Sequence, residues 1–383
     1  MVVLDYFYVF VVALASAMAV VMTRRWHARW TGDFEDSGVQ KHHQGTPPRV
    51  GAVPLLAGLL TGVYLLSQAD GPVSSSAGAF LRDALLCAVP VLLLGLADDL
   101  TKKVPPRVRM VGAAVSAGLA VWLLNGLIVR SGLPWVDGVL VAALPVALAL
   151  TVLLVAGFTN AMNIIDGLNG LAGGLGVFML LATAVLAASL GDTLLMQVCL
   201  VVAVAVAGFL VLNFPRGLMF LGDGGAYLIG FLLVQIWIAL VTRNPDLSPW
   251  AVVAIAIHPT METIFSIYRR RLHRGRAGVA TLADRLHLHS LIYRRRTLPW
   301  ANASGWMEPW MANAAGALSL LVFAAMPLLL VVWGRGSGLS AAVAIGVGVL
   351  GYLYWYRGLV MAGRVKRVGA YRAAGVAASG RAT

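Results

Sequence analysis

Charge is what this sequence has least of. Only 12% of its 383 residues are Asp, Glu, Lys or Arg, against about 25% in an ordinary soluble domain. Acidic residues are scarcest, 16 against 29 Lys and Arg. Cysteine is nearly absent: Cys87 and Cys199 both lie inside apolar runs, which argues against a disulfide framework or a thiolate metal site. There is no His-Glu-x-x-His zinc motif, no internal repeat and no stretch polar enough for a soluble domain. What remains is apolar. Hydrophobic residues make up 60% of the chain, with 42 glycines, a residue commoner in transmembrane helices than in soluble ones.

A helix that spans a bilayer needs about 17–25 predominantly apolar residues. Eleven runs meet that need, near 3–22, 51–67, 80–97, 110–129, 138–158, 171–190, 194–213, 224–242, 250–268, 312–333 and 339–357. The expected fold is all-α and polytopic, one transmembrane domain over 1–360, with a basic, irregular tail at 361–383. The first run is followed, not preceded, by Arg24, Arg25 and Arg29. That is the reverse of a secretory signal, so it reads as an uncleaved helix with its N-terminus outside. Eleven spans then put 23–50, 98–109, 159–170, 214–223, 269–311 and the C-terminus on one side. All of the 29 Lys and Arg fall there except Arg82, Arg130, Arg243 and Arg335. The positive-inside rule makes that side cytoplasmic and assigns the net charge of +13 to membrane lipids rather than to nucleic acid.

Every distinctive polar cluster falls on the same side. Asp98-Asp99 closes the third span, although a helix C-terminus disfavours carboxylates by about 0.3–1 kcal/mol each. The pair is either neutralised by Lys102 and Lys103 or turned toward a cation or reacting phosphate. Between the fifth and sixth spans stand Asn160, Asn163, Asp166 and Asn169, more amide and carboxylate groups than one helix cap requires. Asp223, flanked by Gly222, Gly224 and Gly225, reads as an N-cap or as part of a phosphate site. Glu262 lies two turns inside the ninth span and is either paired with Arg269 or Arg270 or functional. Asp284, Arg285, His287 and His289 go beyond what a basic lipid anchor needs. Imidazole and guanidinium together suit diphosphate recognition. Oxygen ligands without thiolates suit Mg²⁺ or Mn²⁺.

These motifs, in order, are KHHQGTPPRVGA at 41–52, LGLADD at 94–99, NAMNIIDGLNGLAGG at 160–174, FLGDGGAYLIGF at 220–231 and DRLHLHS at 284–290. The set resembles the polyprenyl-phosphate N-acetylhexosamine-1-phosphate transferases, a superfamily of the glycosyltransferase family 4 type that includes the phospho-muramoyl-pentapeptide translocases. The spaced His287-Leu288-His289 and the HQG-x-x-P segment at 43–48 are similar to the bacterial undecaprenyl-phosphate N-acetylglucosamine-1-phosphate transferase branch. There are departures. Asn169 stands where the family usually has a second acid, Ser290 replaces a final histidine, Ala52 a glycine and Glu262 an aspartate. Val279-Ala280-Thr281 replaces a serine- and proline-containing stretch.

The resemblance implies undecaprenyl phosphate as acceptor, a UDP-N-acetylhexosamine as donor, UMP as product and Mg²⁺ as cofactor. The setting is the bacterial inner membrane, with the active site facing the cytoplasm and room for a homodimer. It implies that Asp223 and Asn163 hold the metal, with Asp166 in the same cluster. Asp98 and Asp99 lie by the lipid phosphate, one of them as base or as a positioning group. Lys41, Arg107, Arg109, Asn160, Asn169, Arg285, His287 and His289 grip phosphates and nucleotide. The alternatives are the peptidoglycan translocase reaction and an inactive lipid-binding homologue. A transporter fits less well, because its polar groups gather near the midplane of repeated halves.

Overall fold

The computed structural model describes residues 1–33, 46–272 and 286–379. Lys41 with the rest of the KHHQG segment, Asp284 and Arg285 lie outside them. Fifteen α-helices are present among the described residues: α1 (Val3–Thr31), α2 (Ala52–Gln68), α3 (Pro72–Thr101), α4 (Pro106–Leu123), α5 (Pro134–Ala142), α6 (Leu144–Ile165), α7 (Leu171–Ser189), α8 (Thr193–Asn213), α9 (Gly222–Arg243), α10 (Pro249–Ile255), α11 (Ile257–Leu272), α12 (Leu288–Ile292), α13 (Leu298–Ser304), α14 (Pro309–Trp333) and α15 (Gly338–Ser379). A π-helical turn, Tyr293–Thr297, joins α12 to α13. The described residues contain no strand, only an isolated bridge between Gly32 and Pro48. The architecture is all-helical, as composition requires.

Each of the eleven apolar runs coincides with helix. Among the described residues, eight helices are long and apolar enough to cross a membrane unaided, or nine if the pair α10 and α11 counts as one bent span. The other two runs fall short of that measure. α2 has only 17 residues, and α4 carries Arg107 and Arg109 in its first turns. Proline accounts for two interruptions. Pro145 lies at the start of α6, and the 138–158 run divides at Ala143 into α5 and α6. Pro259 has no N–H to give the Ile255 carbonyl, and the 250–268 run bends there by 73°. The 110–129 run also ends early, at Leu123, before a non-helical stretch. In contrast, α15 continues to Ser379, into the segment expected to be an irregular tail. That segment contains no proline to stop a helix.

α9 is the central post. It is buried along nearly its whole length and packs against α3, α6, α7 and α2. Its closest neighbour is α3. A Cβ at Gly95 would stand 2.6 Å from the Gly224 Cα, so the two backbones touch where a side chain cannot fit. Small residues allow such approach in a medium where helix association depends on packing rather than on water exclusion. This contact brings the end of α3 to the start of α9, and the carboxylates follow.

Candidate active site

Asp99 is 1% exposed at the end of α3. Its carboxylate accepts from the backbone N–H of Asp223 at 2.8 Å and of Gly224 at 2.9 Å. It therefore caps α9 from another helix and satisfies two of the orphan donors that every helix start presents. Gly222 makes room for this cap. Its φ is +73°, and a Cβ there would lie 2.6 Å from Asp99 Oδ2 and 2.3 Å from the Arg49 carbonyl. Asp223 is thus not the N-cap of α9. It sits in the first turn, 6% exposed, with its side chain released for other partners.

Those partners are arginines. Arg49 Nη2 lies 3.4 Å from Asp223 Oδ1 and 3.7 Å from Asp99 Oδ1. Arg109 Nη1 donates to Asp98 Oδ2 at 3.0 Å and contacts Asp223 Oδ2. Asp98 also accepts from the Val104 amide at 3.0 Å. The acidic pair is therefore balanced by Arg109, Arg49 and the α9 amides. Lys102 instead reaches the Gly32 carbonyl at 3.3 Å and Asp33 at 3.4 Å, and Lys103 is exposed. Arg49 went unremarked in the sequence, where it is one more basic residue in a basic loop. Its place is fixed by backbone bonds: Arg49 N–H to the Thr31 carbonyl at 2.8 Å, Phe220 N–H to the Pro48 carbonyl at 2.8 Å and Gly51 N–H to the Phe220 carbonyl at 3.1 Å. Burial alone would lower the Arg49 pKa, but the carboxylates of Asp99, Asp223, Asp33 and Asp166 hold it above its usual value.

Asn163 joins from α6. Its Nδ2 donates to the Tyr227 hydroxyl at 3.2 Å, and Tyr227 stands one turn after Asp223 on the same face of α9. Tyr227 also escaped the sequence reading, since a tyrosine in an apolar run passes for core. Asp166, just past the end of α6, is half-buried as a residue while its carboxyl is desolvated. Desolvation pushes it up to about 7, with Arg49 opposing and Asp223 adding to the shift. Asn160 lies half-buried about one turn before Asn163.

Two expected site residues are placed differently. Asn169 is 6% exposed and pins the loop: its N–H meets Asn313 Oδ1 at 2.8 Å and its Nδ2 the Pro215 carbonyl at 3.2 Å. Asn213, through Oδ1 to Gly170 N–H at 2.7 Å and Nδ2 to the Met219 carbonyl at 2.8 Å, completes the brace. Arg107 is exposed on the first turn of α4, with no contact to the carboxylates among the described residues.

The histidines arrive on a separate unit. His287 Nδ1 lies 2.7 Å from Glu262 Oε1, and the Leu288 N–H stands 3.1 Å from each Glu262 oxygen. Of the two arginines expected there, Arg269 or Arg270, Arg269 reaches the Leu286 carbonyl at 2.8 Å and the Tyr356 hydroxyl at 3.0 Å. The rings of His287 and His289 are parallel, with centroids 5.5 Å apart. A Cβ on Gly167 would fall 2.2 Å from His289 Nε2. The glycine after Asp166 therefore seats His289 directly against the carboxylate-bearing loop.

Polar and charged side chains from α3, α4, α6, α9, α12 and the loop before α2 thus meet at one end of an apolar bundle. Oriented cations, amides and carboxylates of this kind serve reactions in which negative charge moves between oxygens. Residues 82–241 match the glycosyl transferase family 4. The chain is 29% identical over 291 residues to a probable undecaprenyl-phosphate N-acetylglucosaminyl 1-phosphate transferase of Bacillus subtilis, covering 73% of this chain and 75% of that protein. It is 29% identical over 276 residues to the undecaprenyl-phosphate alpha-N-acetylglucosaminyl 1-phosphate transferase of Escherichia coli, covering 70% and 71%. To the decaprenyl-phosphate N-acetylglucosaminephosphotransferase of Mycolicibacterium smegmatis it is 31% identical over 274 residues, covering 64% and 65%. The chain is a membrane-embedded sugar-phosphate transferase. Within that class it carries the likeness of the glycosyl transferase family 4 enzymes that act on polyprenyl phosphates.

Proposed function

We propose that this enzyme transfers an N-acetylhexosamine 1-phosphate, with N-acetylglucosamine the favoured sugar, from its UDP donor to undecaprenyl phosphate. UMP leaves, and the product starts a cell-envelope polysaccharide such as O-antigen at the cytoplasmic face of the inner membrane. The observation that carries this reading is the cluster of Asp98, Asp99, Asp223, Arg49 and Arg109 at a helix-bundle end. The relatives named for this transfer support it.

The donor set suits Mg²⁺. Asp223, Asp98, Asp166 and the Asn163 amide oxygen are all hard oxygen ligands, and the Arg109 guanidinium shows that a positive charge fits between Asp98 and Asp223. No group of three His, Cys, Asp or Glu already converges as a ligand set among the described residues. The side chains would therefore close on the ion, with Asp223 and Asn163 as its principal holders. A bound divalent cation would offset the charge of the donor diphosphate, which otherwise repels the incoming lipid phosphate.

The protein's share is positioning. Asp99 holds the α9 start and so aims Asp223. Arg49 and Arg109 are placed to receive phosphate oxygens. An acceptor phosphate monoester has a second pKa of about 6, so near neutral pH much of it is already a competent nucleophile. Its oxygen attacks the sugar-bearing phosphorus, and the bond to UMP breaks. One diphosphate is lost and one formed, so UMP should drive the reaction backwards.

The test is the purified protein in detergent with undecaprenyl phosphate, Mg²⁺ and a panel of UDP-sugars, UDP-MurNAc-pentapeptide included. UMP should appear with one UDP-N-acetylhexosamine, vanish with EDTA and fall by about 100-fold or more in Asp223→Ala. Release from the pentapeptide donor alone would assign the translocase reaction instead.

A further inference from the structure

Glu262 is a buried carboxylate near the site that the transfer does not use. It is 1% exposed, inside an apolar segment, one turn after the proline that bends the 250–268 run. A carboxylate in such a place costs several kcal/mol unless it is paired. Its pairing is specific. One oxygen faces His287 Nδ1 at 2.7 Å, and both face the Leu288 N–H at 3.1 Å. The side chain therefore caps α12 and holds the ring that begins it. His287 carries its ring parallel to that of His289, which rests on Gly167 beside Asp166. Both histidines are buried, 7% and 6% exposed.

We propose that Glu262 is a positioning residue for the anionic head of the donor, acting through the His287–His289 pair. With Nδ1 bonded to the carboxylate, the opposite ring edge of His287, with Nε2, is turned away from Glu262. The cap on α12 fixes where the backbone enters, so His289 meets the Asp166 loop in one register. Glu262 touches no reacting atom. It sets the pose of two imidazoles, as a carboxylate behind a metal-ligating histidine does in other sites. The inference rests on the donor being a nucleotide diphospho-sugar, as proposed above.

Two readouts separate this proposal from that reading. The first needs no activity. Full-length protein in detergent is treated with diethyl pyrocarbonate, and modified histidines are located by mass spectrometry. His287 and His289 should be protected in the wild type and in Glu262→Gln, which keeps an oxygen acceptor, and exposed in Glu262→Ala. Equal protection in all three overturns the clamp, whatever the enzyme turns over. The second is kinetic. Glu262→Ala should raise the donor KM about tenfold or more while the undecaprenyl phosphate KM stays within about twofold, and Glu262→Gln should recover most of the loss. A fall in kcat alone, or donor KM values that match the wild type, overturns the positioning role. A wild-type protein inert toward every UDP-sugar would count against the transfer reading, while the protection pattern still decides the clamp.

Discussion

Asp99 shows how a residue's chemistry and its task can differ. As a carboxylate beside a reacting phosphate it reads as a general base. In the structure both oxygens are committed to the α9 amides. Asparagine can keep one of these bonds through its single oxygen, but its NH2 would face the other amide, so Asp99→Asn should melt between wild type and Asp99→Ala and keep activity within about tenfold at neutral pH. Asp99→Ala leaves two buried amides unpaired, a cost of about 1–3 kcal/mol each, and should lose both. If Asp99→Asn is instead dead at pH 7 and recovers at alkaline pH, the base role stands. Asp166 offers a second test. Its carboxyl, raised to about 7 mainly by desolvation, holds its proton below that pH, and the proton competes with a cation. The Mg²⁺ concentration for half-maximal rate should therefore rise as pH falls through about 7. In the metal-free protein the linkage has the opposite sense. A raised carboxylate pKa favours folding at low pH, and this contribution is lost as pH climbs from about 4 toward 7. Thermal melts with and without Mg²⁺ across that window check both signs. The chemistry of these residues was legible because a carboxylate at an apolar helix end is costly and rare. Their partners were not. Arg49 looks like any cytoplasmic cation, and the α9 amides that occupy Asp99 lie 124 residues away in the chain.

At the scale of elements, the decisive contact is α3 against α9. Placing a Cβ 2.6 Å from the Gly224 Cα forces backbone against backbone, so Gly95→Val should cost about 1–3 kcal/mol and lower both Tm and activity. Gly118→Val is the control, because nothing lies within 4 Å of its Cβ position. An equal drop in both variants would mean that helix propensity, not this contact, decides. The helices themselves were legible from the apolar runs, and prolines marked two of the breaks. What periodicity could not tell was which helix takes the centre. α8 is more apolar than α9 in sequence, yet α9 carries the polar start that the other helices gather around. The brace of Asn169, Asn213 and Asn313 was hidden for a related reason. Each asparagine alone is an unremarkable amide near a helix end, and only the fold brings positions 144 residues apart to the same point.

For the whole molecule, the charge asymmetry predicts an orientation by the positive-inside rule. The native thiols Cys87 and Cys199 are buried, so single cysteines can report sidedness without background. Lys103→Cys and Arg335→Cys occupy exposed positions. On intact cells a membrane-impermeant maleimide should label Arg335→Cys and spare Lys103→Cys. The reverse pattern would invert the topology and move the carboxylates outside.

The two halves of the site hang from different supports. The acidic centre is fastened by α3, α4, α9 and the strap at Arg49, all before the helix bend. The histidines are fastened by Glu262 and α12, and among the described residues they meet the centre across the surface of Gly167. Gly167 is not the whole seam: α11 packs on α6, α14 on α7, and the Asn169–Asn313 bond ties α14 to the loop that carries Asp166. The histidine unit and the carboxylates are thus mechanically one body, and a change on either side of the helix bend is transmitted to the other.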